Sequence, residues 1–78
     1  MYVMESMNLS SRFVDNAGNE VGYLTLLVNE KEAGYFTAYL EGELGNVTIA
    51  ETYRNINKAR KMYEQDKLEF IEMLKKQA

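Results

Sequence analysis

Glu41 and Glu43 stand two apart in an extended stretch, a spacing that sets two carboxylates on one side of a strand. Such a pair can shuttle a proton or hold a hard cation. Nothing beside it completes a site. No nucleophile or phosphate loop adjoins, and Gly42 and Gly45 read as breaking a strand ahead of a helix. The hydroxyls of Ser6, Ser10 and Ser11 have no imidazole to activate them, because the chain contains no His. It contains no Cys either, which removes disulfides and thiolate metal ligands together. The expectation is a protein that is not an enzyme, with no catalytic, metal or cofactor site.

A second chemistry is anion binding. Arg54, Lys58, Arg60 and Lys61 form a run without an acid, flanked by Tyr53 and Tyr63, and cations with aromatics beside them can hold phosphates and stack bases. The balance of charge argues against nucleic acid as a ligand. The chain is acidic, with a net charge of −3, and it carries no nucleic-acid-recognition motif.

A third chemistry is contact. Val21, Tyr23, Thr25, Leu27, Tyr35, Thr37 and Tyr39 alternate with apolar residues and share one face of a sheet that is more aromatic than mere solvation requires. Tyr23, Leu27, Tyr35 and Tyr39 are therefore the candidate partner-binding residues, since Tyr is enriched where proteins meet.

Two kinds of element must position these residues, and the chain changes character near Gly45. Before it apolar residues recur at period two; after it they follow the helical period, which defines an α+β class with strands first. Asp15 to Asn19 and Asn29 to Gly34 are clusters of turn formers. They divide residues from about 2 to 41 into a three-stranded antiparallel β-meander: a strand ending near Val14, one from Glu20 to Val28 and one from Tyr35 to Glu41. Alternation assigns Met7, Leu9, Phe13, Leu24, Leu26, Val28, Phe36, Ala38 and Leu40 to the core face.

A single amphipathic C-terminal helix from about 49 to 76 is expected to cover that face. Thr48-Ile49-Ala50-Glu51 fits a capping box at its start. Two alternatives stay open: Val47 to Ala50 as a fourth edge strand, and a helix break near Gln65-Asp66. A continuous helix of that length spans ~42 Å at 1.5 Å per residue, longer than the roughly 25–30 Å of an eight-residue strand, so it should overhang its sheet.

Ile49, Tyr53, Ile56, Arg60, Tyr63, Lys67, Phe70 and Leu74 would lie along one stripe of this helix. Its overhanging half needs cover, and a second copy can supply it. Residues 54–61 are basic, and residues 64–72 hold Glu64, Asp66, Glu69 and Glu72 against Lys67 alone, so antiparallel pairing of two helices sets opposite charges together. Arg60, Tyr63, Lys67, Phe70, Ile71 and Leu74 are the candidate self-association residues.

At 78 residues the chain is a single small domain, 1–78, and small domains gain only about 3–5 kcal/mol from one core, so oligomerisation is the natural reinforcement. No apolar run reaches the ~18 residues of a membrane span, and the first residues lack a signal peptide's pattern, so a cytoplasmic location is expected. Met4 and Met7 are alternative starts. Residues 1–47 hold seven acids against two bases and residues 48–78 five against seven, net charges of −5 and +2. The functional expectation is a small acidic protein-interaction module, a homodimeric regulator or inhibitor that binds another protein. The alternative is an acidic nucleic-acid mimic that blocks the basic groove of a nucleic-acid enzyme, as inhibitors carried by phage and mobile elements do.

Overall fold

The structure, a computed structural model, describes the backbone of residues 8–32 and 35–76, and the side chains of all of these except 30–32 and 35. Four strands, β1 (Leu9–Val14), β2 (Glu20–Glu32), β3 (Tyr35–Leu44) and β4 (Val47–Tyr53), precede one helix, α1 (Ile56–Lys76). The strands form one antiparallel sheet in the order β1-β2-β3-β4. The fold is α+β, as the change of period requires, with one strand more than the expected three.

The extra strand replaces the first turns of the expected helix. Gly45 has φ +59° and Asn46 has a negative φ, the pattern of a type II′ turn, so Gly45-Asn46 closes a two-residue hairpin between Leu44 and Val47. The residues that follow, Val47, Thr48 and Ile49, are β-branched and suit the pleated surface better than a helix. Gly42 does not end β3; it pairs with Leu24 and Ile49 inside the sheet. The capping box at Thr48 is absent, and Asn55 caps instead, its Oδ1 accepting the Lys58 N–H at 3.2 Å. From Ile56 the helix runs unbroken through Gln65-Asp66.

Buried residues of the sheet, Phe13, Leu24, Leu26, Val28, Ala38, Leu40 and Leu44, meet Ala59, Tyr63 and Phe70 of α1. Leu9 and Phe36 pack at the margin as expected, and Met7 lies outside the described residues. Two glycines shape this surface. A Cβ on Gly22 would stand 2.6 Å from Leu44 Cδ1 and 2.5 Å from the Glu43 carbonyl oxygen, and one on Gly42 would stand 2.6 Å from Leu24 Cδ1. Each glycine faces a leucine across the ladder and leaves room for that side chain to lie flat. The Phe70 ring meets Phe13 edge to face at 5.4 Å. The Tyr63 hydroxyl reaches through the apolar layer to hydrogen-bond that of Ser11.

The helix does not outrun its sheet. With 21 residues α1 is ~31 Å long, whereas β2, with 13, is ~43 Å long.

Candidate binding face

Because α1 lies on one side of the sheet, the other side has no cover among the described residues, and the ladder register fixes what it displays. One row across the four strands is Arg12, Tyr23, Glu43 and Thr48; the next is Ser10, Thr25, Glu41 and Ala50. Beyond β1 come Leu27, Tyr39 and Thr52, then Asn29 and Thr37. Tyr23, Thr25, Thr37 and Tyr39 are half-buried, and Leu27 is 40% exposed.

The face is hydrogen-bonded as well as aromatic. The Tyr23 hydroxyl donates to Glu41 Oε1 at 3.1 Å, and Thr25 Oγ1 donates to the Glu41 carbonyl oxygen at 3.4 Å. Acceptance by Glu41 holds the phenol in its protonated form and raises its pKa; burial and the charges of Glu41 and Glu43 add to this. At the margin Arg12 pairs with Glu20 at 3.9 Å, both exposed.

The expected partner-binding residues Tyr23, Leu27 and Tyr39 therefore come together on this uncovered face. Tyr35 opens β3, and its side chain lies outside the described residues. Glu41 and Glu43 share the face, but among the described residues no three acidic side chains converge as a metal site. The Ser11 hydroxyl is taken up by Tyr63.

The helix stripe is distributed differently from its sequence expectation. Ile49 and Tyr53 stand on β4, while Tyr63 and Phe70 are 3% and 1% exposed inside the core. The cover that a second copy was expected to provide for these two aromatics comes from the chain's own sheet. Ile71, Leu74 and Lys67 are half-buried and Arg60 is exposed. The basic run Arg54, Lys58, Arg60 and Lys61 is exposed around the start of α1. Further along the helix, burial first and then the charges of Glu69 and Glu51 raise the pKa of Asp66; the Tyr53 phenol is raised by burial and by Glu51 and Asp66.

Two features escaped the sequence reading. The Gly45-Asn46 turn was legible as a hairpin dipeptide between two apolar runs. Asn55, a good N-cap residue just ahead of Ile56, marked the true helix start.

The fold and the face together define a four-stranded antiparallel sheet open on one side and roofed by a single helix on the other. Comparisons with protein-family models, with curated proteins and with solved structures find no match. Among the described residues no helix is long and apolar enough to cross a membrane.

Proposed function

We propose that this chain is a non-enzymatic protein-interaction module, a cytoplasmic regulator or inhibitor that binds another protein through the uncovered face of its sheet and works as a homodimer. The observation that carries the reading is the chemistry of that face. Tyr39 is half-buried opposite the exposed Leu27, and Tyr23 is half-buried farther along the same face, where a sheet face built only for solvation would carry charged and small polar residues. Tyr offers large contact area at a small loss of rotamer freedom, and the Tyr23–Glu41 hydrogen bond already orients one ring. Self-association is supported by size, since 78 residues without a disulfide leave oligomerisation as the reinforcement.

The test is a double variant, Tyr23→Ser with Tyr39→Ser. Capture of a partner from the native cell extract should be lost in the double variant while the thermal midpoint stays within a few degrees of the wild type. Capture that survives both substitutions would sink the sheet-face reading.

The second reading, a nucleic-acid mimic, draws on Glu41 and Glu43, which place two carboxylates on the same face. The two readings part on salt. A mimic's complex with a basic groove should weaken steeply between low and high ionic strength, and a Tyr-centred interface should weaken little.

A further inference from the structure

We infer that β4 is the surface through which two copies of this chain join, edge to edge and antiparallel, making one eight-stranded sheet about a two-fold axis at Ala50. This locates the self-association proposed above, and it does not depend on the partner-binding face.

The argument begins with the direction of the backbone groups. In a two-residue hairpin the closing residues, here Leu44 and Val47, exchange both hydrogen bonds. Val47, Ile49, Glu51 and Tyr53 therefore turn their N–H and C=O groups toward β3. Thr48, Ala50 and Thr52 turn theirs outward. The same alternation carried back across β3 directs the Val28 N–H toward β1, where it donates to Asn8 Oδ1 at 3.2 Å. That bond checks the assignment independently, from the far side of the sheet.

A row of outward groups at 48, 50 and 52 is its own complement. With Ala50 opposite Ala50 of a second copy, Thr48 falls opposite Thr52 in both halves. Every outward N–H then meets an outward C=O, and no shift of register is needed, since the β3–β4 ladder runs without a bulge.

Side chains fit the same register. On the uncovered face the pairs are Thr48 with Thr52 and Ala50 with itself, all small and all exposed in one copy. On the helix side Tyr53 falls opposite Val47, which is 39% exposed, giving an aromatic and β-branched pair twice over. Ile49 falls opposite Glu51, the strand's single charge. The roof does not interfere, because α1 lies chiefly over β2 and β3.

The two edges of the sheet differ in a way that singles out β4. Edge strands are normally blunted by Lys, Arg, Pro or a bulge. β1 carries Arg12 and a register shift at Phe13/Val14, and the Asn8 side chain takes the adjoining N–H of β2. β4, Val-Thr-Ile-Ala-Glu-Thr-Tyr, has no Lys, Arg, Pro or bulge, and its one charge is Glu51 on the helix side. An edge pairing of this length is smaller than a standard protein interface, so the dimer should form and dissociate with concentration.

Ala50→Pro is the pointed variant. The Ala50 N–H faces outward, so proline removes no bond to β3, yet it deletes the central intermolecular donor and puts a ring in the partner's path. Thr52→Lys is the second, in case proline perturbs the strand. Sedimentation equilibrium of the full chain should show a concentration-dependent dimer, and each variant should weaken it at least tenfold. Hydrogen exchange reads the same event by residue. The amides of Thr48, Ala50 and Thr52 should gain protection as concentration rises, while those of Ile49 and Glu51 stay protected throughout. A wild-type dimer that both variants leave intact, with exchange at 48, 50 and 52 independent of concentration, would overturn the β4 assignment and leave self-association standing. A wild type that is monomeric at every concentration would overturn both. The Tyr23→Ser, Tyr39→Ser variant should dimerise like the wild type.

Discussion

Asp66 and Asp15 show how surroundings set the sign of a carboxylate's contribution. Asp66 is half-buried on α1 with Glu69 and Glu51 near, so desolvation first and like charge second raise its pKa above 3.8. The folded chain then binds a proton at Asp66 more tightly than the unfolded chain does. Its ionised form destabilises the fold above the raised value, and that penalty disappears as pH falls toward 3.8. Asp66→Asn should therefore raise the thermal midpoint at pH 7, with the gain over wild type vanishing in acid. Asp15 is the reverse. Its carboxylate accepts the Ala17 and Asn19 N–H groups at 2.9 and 2.8 Å in the β1–β2 turn, and these bonds lower its pKa, that of Asn19 most. Its contribution is complete above 3.8 and is lost as pH falls through the lowered value, so Asp15→Ala should differ most from wild type near neutrality. Denaturant unfolding at pH 7 and pH 3 measures both. At Gly42 sterics oppose propensity: Ala is the better strand residue, but its Cβ would sit 2.8 Å from the Tyr23 carbonyl oxygen, backbone that cannot rotate away. Overpacking should win, and Gly42→Ala should destabilise by about 1–3 kcal/mol.

At the scale of elements, the boundary between β4 and α1 decides most of the difference between expectation and structure. Ile49 and Tyr53 are four residues apart, and four is a multiple of two as well as close to the helical repeat. Both periods therefore accept this pair, and a helix ahead of Asn55 was as consistent with the apolar spacing as a strand. Local chemistry breaks the tie: the Gly45-Asn46 turn, the β-branched residues after it and the Asn55 cap. Asn55→Ala should cost about 1 kcal/mol, the usual loss for an N-cap. Thr48→Ala should cost no more than about 0.5 kcal/mol, because Thr48 caps nothing and sits exposed on the sheet. Unfolding curves that ranked the two in the opposite order would restore the earlier helix start. The core face and the Tyr face were legible because period two holds from Tyr23 to Val28 and again from Tyr35 to Leu40, and a strand's sidedness follows from parity alone. That Tyr63 and Phe70 point inward depended on where the helix starts and how far the sheet reaches, neither of which local periodicity encodes. The edge strand β4 was legible as the alternative left open at Val47 to Ala50; only its extent to Tyr53 was hidden, for the same reason.

For the whole molecule, elongation is the governing fact. The described residues measure 49 × 19 × 16 Å, and their radius of gyration of 14.3 Å exceeds the ~11.5 Å typical of a compact 78-residue domain. Among the described residues, the β2–β3 ladder has neighbours on both sides only as far as Leu26. β1 reaches no farther than Leu9, opposite Leu26, and β4 ends at Tyr53, opposite Ala38. Among the described residues, the Asn29–Thr37 and Glu30–Phe36 pairs beyond continue as two strands alone, with a register shift before Glu32. A lone two-stranded ribbon is marginal in water, whereas the four-stranded part is bound to α1 through Leu24, Leu26 and Leu40, all fully buried. Stability should therefore fall along a single pair of strands. In native-state hydrogen exchange the amides of Tyr23 and Thr25, which point to β3 and sit over the core, should exchange only when the whole domain unfolds, and their protection should fall with denaturant. The amide of Asn29, on the same strand with the same orientation, should exchange by local opening, with protection at least about tenfold lower and nearly independent of denaturant. Equal protection at Thr25 and Asn29 would mean that the ribbon is clamped by contacts other than β1, β4 and α1.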